Sequence, residues 1–308
     1  MIGYCAFGDN AKRQALIADV RAKGPIFTAW LTRASIEGDI SSISDDYGLH
    51  PAFARLLPAL GAFGEFDDAL PFYEALFNAI PTGADTGSLA RQTLLLAWTH
   101  PTYGQSRAVK QRAVYEVCEE IIALVRHSID APVEKQVWRA ARAKLAGIRG
   151  EEEGAEKVMD MMLSLAWDLE QAPGAAHDVM VAWTALIDHE ADASDEDCFS
   201  EEENKAFRAA MDRINEEAIQ GFMDAHPGED ISYDDFLAEV DKHWAADPVA
   251  HGLKLRSVAR RARTNARMAQ WRAAIQTDLL ECAKVLPGEP KPAKSGTNLE
   301  KSADELQI

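Results

Sequence analysis

Apolar residues recur along this chain at intervals of three and four over almost its whole length, the repeat of helices with one buried face. Asp9 or Asn10 caps a first helix predicted to run to Lys23, where Gly24–Pro25 stops it, and a second extends through Trp30 towards Glu37. Ser41–Tyr47 reads as a connector. Pro51 then stands at the favoured first position of a helix ending near Phe63. Asp67–Ile80 and Leu89–Thr99 follow, stopped by Pro81 and Pro101. Ser106–Ile129 reads as one long helix, with Val114, Val117, Ile121 and Val125 on its apolar face.

Pro132 opens the next helix, closed near Gly147–Gly150. Glu151–Glu170 and Ala176–Glu190 form an antiparallel pair joined at Pro173–Gly174. Ser200 and Glu203 form a capping box for a helix reaching about Met223. Ser232 caps Tyr233–Trp244, and Asp247–Pro248 starts a last helix expected to run to Leu286. Clean period-two alternation is missing throughout, so no strand is expected. The prediction is an all-α fold of about a dozen helices, a multi-helix bundle or an irregular array of α-hairpins. Three parts are expected: a helical domain over 1–149, an acidic helical region with a long basic last helix over 150–286, and a disordered Pro-, Gly-, Lys- and Ser-rich tail over 287–308.

Composition sharpens this picture. With 47% hydrophobic residues the chain can bury a core. The longest apolar stretches, such as Met180–Ile187, suit one buried helix face and fall far short of the ~20 residues of a membrane span. Met1–Phe7 has no basic segment, so no secretory leader is expected. Cys5, Cys118, Cys198 and Cys282 are scattered without a CxxC pair, which fits a reduced, cytoplasmic protein. The net charge of −18 is unevenly spread: residues 150–250 hold 28 acids against five bases, and the rest of the chain holds 22 acids and 27 bases. So acidic a chain is a poor undirected binder of nucleic acid, which needs a local excess of cations.

Residues 64–81, Gly-Glu-Phe-Asp-Asp-Ala-Leu-Pro-Phe-Tyr-Glu-Ala-Leu-Phe-Asn-Ala-Ile-Pro, resemble the second half of a tetratricopeptide repeat. Gly64 falls at the turn, Ala69 at the close helix crossing, Tyr73 at the large wedge and Pro81 at the terminator. Phe53, Leu56 and Leu60 supply the first helix, so the unit spans His50–Gly83. The resemblance implies peptide or protein binding in a helical groove. The segment from Asp224 to Phe236 resembles a calcium-binding EF-hand loop, with Asp224 first, Ile231 eighth and Asp235 twelfth. Its third, fifth and sixth places hold His226, Gly228 and Glu229 instead of ligand oxygens and the turn glycine. Calcium is therefore not expected, and Asp224, Asp230 and Asp235 are expected to cap helices or face water.

No phosphate loop, GxSxG, HExxH or paired Glu-x-x-His motif occurs, and neither a catalytic residue nor a cofactor is expected. The sharpest feature is cationic. Arg256, Arg260, Arg263 and Arg267, spaced four, three and four, fall on one stripe of the last helix, with no acid between Lys254 and Arg272. A quarter-turn away, Leu255, Val258, Ala262, Ala266 and Ala269 make a seam suited to close helix packing. The stripe is expected to face the chain's own acidic block, a partner protein's acids, or nucleic-acid phosphates, in that order of preference. The functional expectation is a non-enzymatic protein-interaction or regulatory helical scaffold with an unknown protein or peptide partner and no membrane. The alternatives are a nucleic-acid-associated protein using the Arg stripe, or an enzyme with a site in a helical bundle.

Overall fold

The computed structural model describes residues 4–24, 41–61, 66–148, 155–225 and 233–288. Among them are twelve α-helices, one 3₁₀ turn and no strand, so the fold is all-α. No helix among the described residues is long and apolar enough to cross a membrane. The second expected helix, towards Glu37, Gly64 of the hairpin turn, Asp230 and the tail beyond Gly288 lie outside the described residues.

The first eight helices are α1 (Asn10–Lys23), α2 (Ser41–Tyr47), α3 (Pro51–Gly61), α4 (Phe66–Ala79), α5 (Thr86–Thr99), α6 (Arg112–Asp130), α7 (Lys135–Ala146) and α8 (Ala155–Leu165). The last four are α9 (Gly174–Ala193), α10 (Glu201–Ala225), α11 (Tyr233–Ala246) and α12 (Pro248–Lys284). Asp9 caps α1 by accepting from the Lys12 N–H at 2.8 Å, and Gly24 ends it at φ 52°, a conformation costly for any residue with a Cβ. The expected connector at Ser41–Tyr47 is a short helix, with Ile43 and Ser44 buried. Asp85 starts α5 three residues before the expected Leu89, because its carboxylate accepts from the Gly87 N–H at 2.8 Å.

Ser106–Ile129 is not one helix. A 3₁₀ turn at Gln105–Ala108 leads into extended Val109, and α6 begins only at Arg112. Burial holds this break in place: Tyr103 is fully buried, its hydroxyl donates to Asp278 at 2.5 Å, and its carbonyl accepts from Trp183 Nε1. The helix expected over Glu151–Glu170 also stops early, at Leu165. Asp168 turns the chain there by accepting from the Glu170 N–H at 3.1 Å.

The structure divides at Trp183 and Arg272, where the sequence suggested a boundary near residue 149. The first unit is Met1–Trp183 with Ala273–Ile308, and the second is Thr184–Arg272. The shift follows from burial, since Val158, Met161, Met162 and Leu165 of α8 belong to the core of the first unit. That core is aromatic: Phe7, Phe53, Tyr73, Phe77, Trp98, Tyr103 and Trp183 are its largest fully buried side chains. In the hairpin of α3 and α4, the Tyr73 hydroxyl donates to the Leu57 carbonyl at 2.9 Å. A Cβ on Gly61 would lie 1.9 Å from that hydroxyl, so the wedge fits only against glycine. The second unit buries fewer apolar side chains: Ile214, Trp244 and Ala250 form one cluster with Phe207, Ala210 and Val240 packed on it, and Ile187, Ala218, Phe222 and Met268 are buried as well.

Candidate interaction surface

Within the second unit α12 carries two chemically opposite faces. The first is the arginine stripe, and the acids that meet it come from the end of α9, the loop that follows and the first turn of α10. That loop is folded by its own side chains. Asp195 accepts from the Asp197 N–H at 2.9 Å, and Ser200 and Glu203 exchange the two bonds of a capping box at 3.1 and 2.9 Å. Arg263 then holds Asp195 with two parallel bonds, Nε to Oδ2 at 2.7 Å and Nη2 to Oδ1 at 2.8 Å. Arg256 donates to Asp197 at 2.7 Å and also to Glu203. Arg260 reaches Asp192 at 2.5 Å, and Arg267 reaches the Ala191 carbonyl and Ser194 Oγ at 2.9 and 2.6 Å.

The Asp195 side chain is only 2% exposed. The Arg263 hydrogen bonds, and then the Asp197 N–H, hold its carboxyl well below the usual carboxylate range. Arg256 and the Ser200 N–H do the same to Glu203. Phe199 lies beneath the stripe, with the Arg256 and Arg260 guanidiniums 4.8 and 5.7 Å from its ring centroid. Two more cations of α12 are engaged: Arg261 with Asp188 at 2.7 Å and Lys254 with Asp241 at 2.6 Å. Sequence reasoning passed over Phe199, Arg261 and Lys254. The available signal was an aromatic residue alone in an acidic, non-helical stretch.

The second face is uncharged and exposed. Gly252, Leu255, Ala259, Ala262, Ala266 and Ala269 follow one another at intervals of three, four, three, four and three. This is the spacing of a helix seam that packs on another helix. Val258 and Val249 lie beside it. Leu255, Val258 and Val249 are 58, 60 and 77% exposed.

The first unit contributes other features. Arg91, nearly buried, donates to Glu170 at 2.8 Å, and His50 Nε2 lies 3.2 Å from the same oxygen. The Ala52 N–H donates to His50 Nδ1 at 3.1 Å, so Nε2 carries the hydrogen and both ring nitrogens are engaged. Burial lowers the His50 pKa against the opposing pull of Glu170. The cluster ties the turn after α8 to α3 and α5, and its ring has no free lone pair for general-base work. A second cluster has His100 stacked on Tyr103, with Asp278 at 3.4 Å from Nε2. A cavity of about 380 Å³ opens between α6 and α7, walled by Ala123, Leu124, Val137 and Ala140 with the Lys144–Glu120 pair at its rim. Its lining suits an aliphatic side chain and holds no group poised for chemistry.

Asp224 accepts from Gln220 on its own helix at 2.9 Å, and Asp235 is exposed in the first turn of α11. Among the described residues no three His, Cys, Asp or Glu side chains converge to hold a metal ion. No protein-family model, curated protein or solved structure matches this chain.

Proposed function

We propose that the protein is a non-enzymatic interaction scaffold, and that the uncharged face of α12 is where it docks another polypeptide. The observation that carries this reading is the division of labour on one helix. Each cation from Lys254 to Arg267 meets an acid, carbonyl or hydroxyl of the same unit. The face a quarter-turn away presents a run of aliphatic and small side chains about 26 Å long, by the rise of 1.5 Å per residue. A continuous uncharged strip of this length offers a surface on which another helix can pack closely. The pairing of the arginines also weighs against a phosphate-binding role, since a nucleic acid would have to displace carboxylates already held at hydrogen-bond distance.

The test is a nuclease-treated pull-down with tagged wild type and with Ala262→Arg, which sets a cation in the middle of the seam. Ala262 is exposed, so the substitution should leave the melting temperature unchanged while captured protein falls at least tenfold. Equal capture by both chains, or capture that vanishes with nuclease in the wild type, refutes the proposal.

A further inference from the structure

We infer that His50 is an acid-released latch: a proton taken up on its ring undoes the cap of α3 and frees the first turn of that helix together with the N-terminal segment lying on it, while the rest of the first unit stays folded.

Four stretches of chain meet at this ring. Pro51 carries no N–H, so the first donor of α3 is that of Ala52, and His50 Nδ1 accepts it at 3.1 Å. The His50 N–H donates to Thr86 Oγ1 at the start of α5, at 2.8 Å. Nε2 reaches Glu170 in the turn after α8, at 3.2 Å. Tyr4 stands edge-on to the ring with the centroids 5.2 Å apart. The segment it belongs to is pinned nearby, the Phe7 N–H donating to the Tyr47 carbonyl at 2.7 Å and the Ala6 N–H to the Ala84 carbonyl at 3.0 Å. A Cβ on Gly87 would lie 2.8 Å from His50 Cδ2, so α5 presses on the ring and leaves it little room to turn.

A proton arriving here has one place to go. Nε2 already carries a hydrogen, so the second goes to Nδ1 and turns the acceptor of the α3 cap into a donor facing the Ala52 N–H. The new cation would also stand at the N-terminal, positive end of the helix dipole. Glu170, Asp85, the Arg91 guanidinium and the Tyr4 phenol are the charged and titratable groups around the ring among the described residues. Glu170 is already committed to Arg91 at 2.8 Å, so it cannot answer the second cation alone. Burial is the strongest influence on the ring and disfavours its charge; Glu170 and Asp85 oppose burial, Arg91 reinforces it, and the balance favours the neutral form. The folded state therefore binds this proton less well than the open one. Stability from the latch is complete above the ordinary histidine value of about 6.5 and declines as pH falls below it. Glu170 stays ionised through this window: burial raises its pKa, but the Arg91 hydrogen bond and the His50 ring more than offset that.

Hydrogen exchange of the full chain between pH 7.5 and pH 5, corrected for the intrinsic pH dependence of exchange, reads the opening. In the wild type, protection of residues 50–56 and 4–9 should fall at least tenfold across this range while residues 114–125 of α6 hold theirs. His50→Asn keeps an oxygen for the Ala52 N–H but does not titrate, so it should lose the pH dependence. Asparagine leaves part of the ring's space empty, so the wild-type ring is also followed by NMR. It should be the Nε2–H tautomer at pH 7.5 and take up its proton with a midpoint below about 6.5, in step with the loss of protection. If His50→Asn does not fold, the ring titration and the wild-type exchange decide together. Unchanged protection of residues 50–56 down to pH 5, an equal loss in folded His50→Asn, or a ring that titrates at or above 6.5 without opening overturns the inference.

Discussion

Arg263 grips the Asp195 carboxylate with two parallel bonds, and Asp195 in turn accepts from the Asp197 N–H, so one buried side chain fixes both the loop and the helix. Because its folded pKa is depressed, its stabilisation is present above the unfolded value of about 3.9 and is lost as pH falls through the folded pKa. Asp195→Asn keeps the shape but removes the charge. It should lower the melting temperature at neutral pH and flatten the acid limb of a pH–stability curve, with the two proteins converging in strong acid. Glycines make a second test at this scale. Gly61→Ala drives a methyl into the Tyr73 hydroxyl and should cost about 1–3 kcal/mol, the penalty of overpacking. Gly221 lies in exposed helix with nothing near its missing Cβ, so Gly221→Ala should stabilise by about 0.5–1 kcal/mol. Denaturant melts of the two variants should therefore move in opposite directions.

Elements were legible where a local chemical signal marks them. The Ser200–Glu203 capping box, the Asp9 cap and the Asp247–Pro248 start are found where the side chains predict, since each acts within three residues of itself. Ser200→Ala should cost about 1 kcal/mol, read as earlier melting of the second unit. What failed was any break imposed from a distance. The 3₁₀ turn before α6 depends on Tyr103 reaching Asp278, 175 residues away, and no local pattern encodes that contact. The early end of α8 was hidden for a milder reason, because Asp168 reads equally well as a helical surface residue and as a turn former. The candidate site was half visible. Spacing placed the four arginines on one stripe, yet only the folded loop showed Phe199 beneath them and Asp195 out of solvent.

At the scale of the whole molecule the two units rest on different physics. The first holds a broad aromatic core, whereas the second buries few apolar side chains and adds a line of ion pairs and caps. Hydrogen exchange should therefore open residues 184–272 before residues 66–148, because local stability tracks buried apolar contact. The proposed docking face of α12 presupposes that the arginine stripe beside it is a structural seam closed by the chain's own acids. Its most direct test is the melting temperature of the Arg260→Glu, Arg263→Glu double variant at low and at high salt. Reversed charges would repel Asp192 and Asp195, and screening relieves that repulsion. The account predicts a marked fall at low salt and a smaller one at high salt. A double variant that melts like the wild type at both, yet no longer retains a bound protein or oligonucleotide, would show the stripe to be the binding site and contradict the account.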